Sequence, residues 1–144
     1  MANSKLENLW MACNLANAKK QVEEVIKNCE SFKIGKTGMT LKERGNSADY
    51  ADKYKWITQL YESSNPDDVS KMEAHLINTY IHWTRCDNEK DGAASIYDQM
   101  AEDATKYYVY IVGDNQHFVS PSVAEITKKI KPTAYQNGGL CCTL

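Results

Sequence analysis

A short glycine-containing stretch, residues 32–38, has side chains suited to binding a phosphate group. It reads Phe-Lys-Ile-Gly-Lys-Thr-Gly, and a Glu-Arg pair follows at positions 43 and 44. Lys36 and Thr37 could donate hydrogen bonds to a phosphate oxygen, although Thr37 and Gly38 are equally typical of an ordinary turn. Arginine is favoured for bidentate phosphate contacts. Only two of the 17 basic residues are arginines, so the position of Arg44 close to this stretch points to a phosphate contact.

The Gly35-Lys36-Thr37 triplet does not belong to a nucleotide-binding P-loop. That motif has another glycine five residues before the position of Gly35, so that backbone N–H groups can surround the phosphates. Position 30 carries Glu30 instead, and its carboxylate would repel the anion. The sequence therefore excludes this kind of nucleotide site.

The segment from Lys33 to Thr37 instead resembles the Lys-Ile-Gly-Lys-Thr second motif of one branch of the GIY-YIG nuclease superfamily. Arg44 lies where the arginine of that family's first helix is expected, and Glu73 lies on a later predicted helix. The resemblance covers residues 32–81. It implies that Arg44 stabilises the attacked phosphate and that Glu73 holds a divalent metal, Mg²⁺ or Mn²⁺. The implied phosphate-binding residues are Lys33, Gly35, Lys36 and Thr37.

The tyrosines of the family pattern are missing from their usual places. No Gly-Ile-Tyr strand precedes Phe32, and Lys33 stands where the second motif has its tyrosine. The strand-like segment 107–112 could supply the missing strand if the order of elements is permuted. Tyr108 or Tyr110 would then face the site as a catalytic residue, because alternate residues of a strand share a face. The competing interpretation is a core strand whose tyrosines pack against apolar neighbours.

Glu73 also stands out without reference to any family. Val69, Leu76 and Tyr80 define the apolar face of its predicted helix, and at about 100° per residue Glu73 falls within that face. A carboxylate there must be paired, hydrogen-bonded or bound to a metal, because burying it alone is costly. A metal site and a salt bridge to a lysine at the rim both stay open.

Capping and periodicity predict the elements that would position these residues. Two apolar sets with helical spacing, rotated relative to each other, predict two helices, or one with a break near 14–20, over residues 4–30. A short strand from Ser31 should end in a turn at 35–38, and a Thr40–Glu43 capping box should start a helix at Leu41. Further along, the pattern predicts a strand over 55–62, a helix from the Asn65 cap to Ile81, a short helix over 93–103, a strand over 107–112, a hairpin partner over 116–120 and a last helix from Ser120.

Length and composition fit a single α/β (α+β) domain spanning residues 1–144, with 42% hydrophobic and 25% charged residues. We expect a small central, mainly antiparallel sheet of three to four strands flanked by helices. The expected divisions are a helical N-terminal region (4–30), an α/β core (32–131) and a mobile tail (132–144). The N-terminus lacks a signal peptide's apolar block, and no apolar run reaches the roughly 20 residues that span a bilayer. We therefore expect a cytoplasmic protein with no membrane partner.

Three functions remain open from the sequence. The first is a GIY-YIG-like nuclease that hydrolyses nucleic-acid phosphodiesters with a divalent metal. The second is a catalytically degenerate relative that binds a nucleotide or another phosphorylated ligand, which the missing tyrosines and the net charge of −2 favour. The third is a protein-interaction module with a protein partner or a second copy of the chain, anchored by some of the three tryptophans and nine tyrosines.

Overall fold

A computed structural model describes residues 2–27 and 29–114, with side chains from Leu9 onward. The elements in this part of the chain are α1 (Ala2–Val25), β1 (Phe32–Thr37), α2 (Leu41–Gly45), β2 (Trp56–Ser63), α3 (Pro66–Tyr80), α4 (Gly92–Ser95) and β3 (Tyr107–Gly113). The predicted hairpin partner at 116–120, the last helix and the tail lie outside the described residues.

The three strands form one antiparallel sheet in the order β1-β3-β2. The latest strand in the sequence therefore lies between the two earlier ones, and Tyr110 stands opposite both Gly35 and Gln59. Residues of β3 are buried on both faces of the sheet, which explains its nearly continuous apolar sequence. The predicted α+β class, with a small antiparallel sheet flanked by helices, is confirmed.

Hydrophobic residues form a separate core on each face of the sheet. The larger core contains Ile34, Val109 and Ile111, together with residues of α1 and α3. The smaller core contains Tyr110 and Val112, together with Leu41, Tyr50, Tyr54 and Ile57. Odd and even residues of β3 thus enter different cores, as the alternation of a strand requires.

The N-terminal region is one unbroken helix, so the prediction of two helices or a break near 14–20 is wrong. The α1 residues of the larger core lie on one face of the helix and are Trp10, Met11, Leu15, Ala18, Val22 and Val25. Asn14 is buried on the same face. This buried face is not recognised when only large apolar residues are counted, because Asn14 and Ala18 are part of it. Asn14 is tolerated there because its side-chain amide donates to the carbonyl of Trp10 at 2.9 Å. Leu9 is 56% exposed, so counting it among the buried residues made the apolar face of the first half of the helix look rotated.

Strand β1 continues through Gly35, Lys36 and Thr37, where the sequence predicted a turn. Pairing with β3 extends to Thr37 opposite Tyr108, and this partner is more than 70 positions away, so local turn chemistry could not reveal it. The turn comes later, at Gly38 and Met39. The strand that carries the motif is therefore a rigid, paired element.

Both predicted helix caps are confirmed. Thr40 Oγ1 accepts from the N–H of Glu43 at 3.2 Å and donates to its carboxylate at 2.8 Å, which holds Arg44 on the single turn of α2. Asn65 accepts from the N–H of Asp67 at 2.9 Å and starts α3, which carries Glu73. The caps thus set the two helices that bring the candidate residues toward the sheet.

The helix predicted over 93–103 is only the four-residue α4. The Lys36 ammonium donates to the carbonyls of Ser95 and Ile96, which a longer helix would need for its own hydrogen bonds. The chain continues from Tyr97 in turns. A tertiary contact therefore ends this helix.

Candidate functional site

A cavity of about 360 Å³ lies at the β1 edge of the sheet. Lys33 and Gly35 alternate with Ile34 and Lys36 along β1, so the cavity is lined from both faces of this strand. Further lining residues come from α2, α3 and β3, from Tyr50, and from the segment 88–100. The sequence-predicted site residues that line the cavity are Lys33, Gly35, Lys36, Arg44, Glu73 and Tyr110, and those that do not are Thr37 and Tyr108.

Gly35 is a point of close approach between β1 and a side chain of β3. A Cβ at this position would collide with the ring and hydroxyl of Tyr110. Glycine therefore allows the Tyr110 ring to lie across β1 and present its hydroxyl to the cavity. The sequence singled out Gly35, but as a turn residue.

Arg44, Tyr110 and Tyr50 form a closed hydrogen-bonding network. The Nε of Arg44 donates to the Tyr110 hydroxyl at 3.0 Å, and one terminal nitrogen donates to the Tyr50 hydroxyl at 3.2 Å. The two hydroxyls lie 2.7 Å apart. The guanidinium also lies over the Tyr50 ring, 4.4 Å from its centroid, which is cation–π geometry. This network holds Arg44 in one orientation at the cavity.

Sequence reasoning missed Tyr50 as a site residue. Residues 46–53 form turns, and the hydrogen bond from the Tyr54 N–H to the Tyr50 carbonyl is one of the few helical bonds there. The one available signal was a tyrosine six residues after the singled-out arginine.

The Tyr110 hydroxyl is held in its neutral form. Burial raises the pKa of Tyr110 well above its usual range and the neighbouring Tyr50 raises it further, while Arg44 partly opposes the increase. For Arg44, burial lowers the pKa, but the interactions with Tyr110 and Tyr50 outweigh this and raise it. At neutral pH the Arg44 cation therefore faces a neutral Tyr110 hydroxyl. Since both phenols accept from Arg44 and one donates to the other, one hydroxyl proton remains for a ligand.

Lys36 and Glu73 form a buried ion pair on the other side of β1. Lys36 Nζ lies 3.9 Å from Glu73 Oε1, and their side chains are 5% and 6% exposed. The ammonium donates to Ser70 Oγ at 2.9 Å and to the carbonyls of Ser95 and Ile96 at 3.0 and 3.4 Å. These three acceptors match its three donors. Lys36 therefore ties β1 to α3 and α4, and has no donor left for a phosphate.

Glu73 is buried as its helical position predicted, and its carboxylate is incompletely satisfied. Oε1 accepts no hydrogen bond from the described residues although it is inaccessible to solvent. Burial raises the pKa of Glu73 from 4.5 to about 7, while Lys36, Ser95 and Lys33 partly lower it and Asp98 raises it further. A carboxylate in this state can take up a proton, a hydrogen-bond donor or a cation that enters the cavity.

The residues present fit a divalent cation only in a limited way. Within residues 2–27 and 29–114, no group of three or more His, Cys, Asp or Glu side chains is arranged to hold a metal ion. Mg²⁺, however, is often held by one or two carboxylates, with phosphate oxygens and water completing the shell. The free Oε1 of Glu73 can supply one such ligand. The Lys36 ammonium nearby would weaken the attraction.

Lys33 is the motif lysine that remains available. Its side chain is half-buried at the cavity, and Nζ lies 5.8 Å from the centroid of the Tyr50 ring. The ammonium makes no hydrogen bond or salt bridge with the described residues. Thr37, by contrast, is buried and accepts from the N–H of Met39 at 2.9 Å. Tyr108 stands opposite Glu62 of β2, away from the cavity. Of the two motif lysines, Lys33 is the one that can attract an anion.

Asn88 is a further cavity residue that the sequence did not indicate. Its amide accepts from the N–H of Ile34 at 2.9 Å and donates to the Ile34 carbonyl at 2.8 Å. The side chain thereby replaces a neighbouring strand at the edge of β1. Lys90 and Asp98, which also line the cavity, form an ion pair at 3.1 Å.

Comparison with protein-family models, with curated proteins and with solved structures finds no match to this chain. Any functional proposal must therefore rest on the cavity residues and on the partial sequence resemblance. Within the described residues, no helix combines the length and the apolar character needed to cross a membrane.

Proposed function

We propose that this protein is a GIY-YIG-like enzyme that hydrolyses nucleic-acid phosphodiesters with a divalent metal, as an endonuclease does. The observation that carries the proposal is that an oriented arginine and a buried carboxylate with an unsatisfied oxygen line the same cavity. Arg44 is held by Tyr110 and Tyr50, and Glu73 Oε1 lacks a hydrogen-bond donor among the described residues. These groups suit the attacked phosphate and a metal ion, respectively. Such an activity accords with the cytoplasmic location expected from the sequence.

Arg44 would bind and stabilise the phosphate. Three of its five N–H donors are used by Tyr110, Tyr50 and Ser47. The carboxylate of Asp49 lies 3.8 Å from one terminal nitrogen, and because it is largely exposed, a phosphate could displace it and use the two remaining donors. Lys33 adds a second positive charge to the cavity. Because the guanidinium is oriented before the ligand arrives, it can stabilise developing negative charge without reorganising.

Tyr110 would replace one of the family tyrosines that are missing before Phe32 and at Lys33. The central place of β3 puts this residue directly opposite Gly35 of the motif strand, which supports the permuted order considered from the sequence. With its pKa raised, Tyr110 acts as a neutral hydrogen-bonding group. Together with Tyr50 it would orient a water molecule or a phosphate oxygen by the one hydroxyl proton that remains free.

Glu73 is the residue that would hold Mg²⁺ or Mn²⁺, and its side chain would have to turn to expose Oε1, which is inaccessible to solvent. When bound, the ion would polarise a phosphoryl oxygen as a Lewis acid. The pKa of Glu73, about 7, makes the free carboxylate more abundant as the solution becomes mildly alkaline. Cleavage should therefore increase from pH 6 to about pH 8.

The test is cleavage of single- and double-stranded DNA and RNA with Mg²⁺ or Mn²⁺, and again with a chelator. Arg44→Lys and Glu73→Ala should each lower the rate at least about 100-fold, the effect of losing one well-placed charge-stabilising group. Glu24→Ala is the matched control, since Glu24 makes only a half-exposed surface pair with Lys27. Circular dichroism checks that the variants fold. Cleavage at the wild-type rate in both site variants would remove the proposal.

A second candidate function is binding of a nucleotide or another phosphorylated ligand without cleavage. The observation that favours it is the Lys36 ammonium 3.9 Å from the oxygen that a metal would use. Arg44 and Lys33 would then be an anion site that needs no metal. Calorimetric titration with common nucleotides should give the same affinity with and without chelator, and a lower affinity for Arg44→Lys. Absence of heat with every nucleotide would count against this candidate.

The structure offers less support to the third function, a protein-interaction module. The large hydrophobic side chains exposed in the described part of the chain are Leu9, Met39, Trp83 and Tyr97. Trp83 packs edge-on against Phe32 and Tyr80, so it belongs partly to the core. Most aromatic residues are buried in the two cores, as structural roles require.

A further inference from the structure

Tyr97 differs from every other tyrosine in residues 2–27 and 29–114, because its side chain is 82% exposed. The side chain makes no hydrogen bond or ring contact with the described residues. The remaining tyrosines of this part of the chain are buried or half-buried: Tyr50, Tyr54, Tyr61, Tyr80, Tyr107, Tyr108 and Tyr110. Because the Tyr97 ring is exposed, it does not stabilise the core, and its position next to the cavity suggests a role in binding.

Tyr97 is next in sequence to the cavity wall. Asp98, which follows it directly, lines the cavity, as does Ser95 two positions before it, and consecutive Cα atoms are only about 3.8 Å apart. The segment is held in place, because Lys36 donates to the carbonyls of Ser95 and Ile96. The Tyr97 ring therefore projects from an anchored backbone while keeping the rotational freedom of an exposed side chain.

The wall that carries Tyr97 attracts a phosphate less than the wall that carries Arg44. Lys33 and Arg44 bring cations from β1 and α2. On the Tyr97 wall, Lys90 is paired with Asp98 at 3.1 Å, and Glu89 adds a further carboxylate. The part of a nucleic acid best suited to approach Tyr97 is thus an uncharged base.

We propose that Tyr97 is a stacking platform for a base of single-stranded nucleic acid, next to the phosphate bound by Arg44. This inference rests on the proposed function and specifies its substrate class. Bases within a duplex already stack on one another and are not free to stack on a side chain, whereas unpaired bases stack on exposed aromatic rings. A cavity of about 360 Å³ is at the small end of ligand-sized sites, so neighbouring nucleotides must run out past the rim.

The test is the affinity for labelled oligonucleotides, measured by fluorescence anisotropy in chelator so that no cleavage occurs. Short single-stranded DNA, the matching RNA and a blunt DNA duplex are compared. Tyr97→Ala should weaken binding of both single strands about tenfold, the loss expected for one stacked base, and leave duplex binding unchanged. Tyr97→Phe should bind like wild type, because it keeps the ring. Leu9→Ala removes another exposed apolar side chain, on α1, and should have no effect.

Equal single-strand affinity of wild type and Tyr97→Ala would overturn the inference, as would an equal loss for strand and duplex. A loss for only DNA or only RNA would support stacking and assign the sugar type. The proposed function fails by a different result, namely cleavage that survives Arg44→Lys and Glu73→Ala. Single-strand binding that depends on Tyr97 but not on Arg44 would support the aromatic platform and remove the phosphate site.

Discussion

Replacing Glu73 with glutamine should stabilise the folded protein above neutral pH. The native state buries this carboxyl and raises its pKa from 4.5 to about 7, so folding opposes its ionisation. Below pH 4.5 the group is protonated in both the folded and unfolded states and imposes no penalty. Between pH 4.5 and about 7 the unfolded state loses its proton first, and stability decreases as pH rises. Glutamine resembles the protonated acid and does not undergo this loss.

The size of the effect follows from the change in pKa. A pKa change of one corresponds to about 1.4 kcal/mol, so raising the pKa from 4.5 to about 7 reduces the free energy of unfolding by about 3 kcal/mol at pH 8. Because the Glu73 side chain is only 6% exposed, solvent screening does not reduce this figure much. The charged groups that act on it are Lys36 and Lys33, which favour its ionisation, and Asp98, which opposes it.

The assay is urea unfolding of wild type and Glu73→Gln at several pH values, in chelator so that no metal binds. The difference in the free energy of unfolding should be near zero at about pH 4 and should increase to about 3 kcal/mol at pH 8. Glu24→Gln, at a half-exposed surface pair, should change it by less than about 1 kcal/mol throughout. The reasoning is refuted if the Glu73→Gln difference is independent of pH, or if wild type is the more stable protein at pH 8.

Three other substitutions separate roles within the cavity. Tyr110→Phe should lower the cleavage rate at least about tenfold while Tyr108→Phe stays near wild type, because of these two tyrosines Tyr110 is the one that accepts from Arg44 and lines the cavity. Equal rates would contradict this. Gly35→Ala should lower the free energy of unfolding by about 1–3 kcal/mol, since its Cβ would meet the Tyr110 ring. Urea unfolding measures this, and unchanged stability would mean that the ring moves freely aside. Lys33→Ala should weaken oligonucleotide binding and reduce the dependence of affinity on salt concentration, which titrations at several salt concentrations would detect.

Local sequence signals located most of the elements correctly. Thr40 and Asn65 predicted the starts of α2 and α3, because a cap depends on residues within one turn of it. The helical period also placed Glu73 on the buried face of α3. The wrong predictions concern α1, the end of β1 and α4. The continuity of α1 depends on packing, the length of β1 on pairing with the distant β3, and the length of α4 on the ammonium of Lys36.

The sequence by itself determined which residue types were present for chemistry, namely the motif lysines, Arg44, Glu73 and a tyrosine-rich strand. Only the tertiary structure decided how each is used. It inserts β3 between β1 and β2, which brings Tyr110 to Arg44 across 66 positions of sequence and adds Tyr50. It also commits Lys36 to the protein's own carbonyls and leaves Lys33 available. The reason is physical: caps and periodicity are local properties, whereas the order of strands and the partners of a buried charge depend on contacts between segments far apart in the chain.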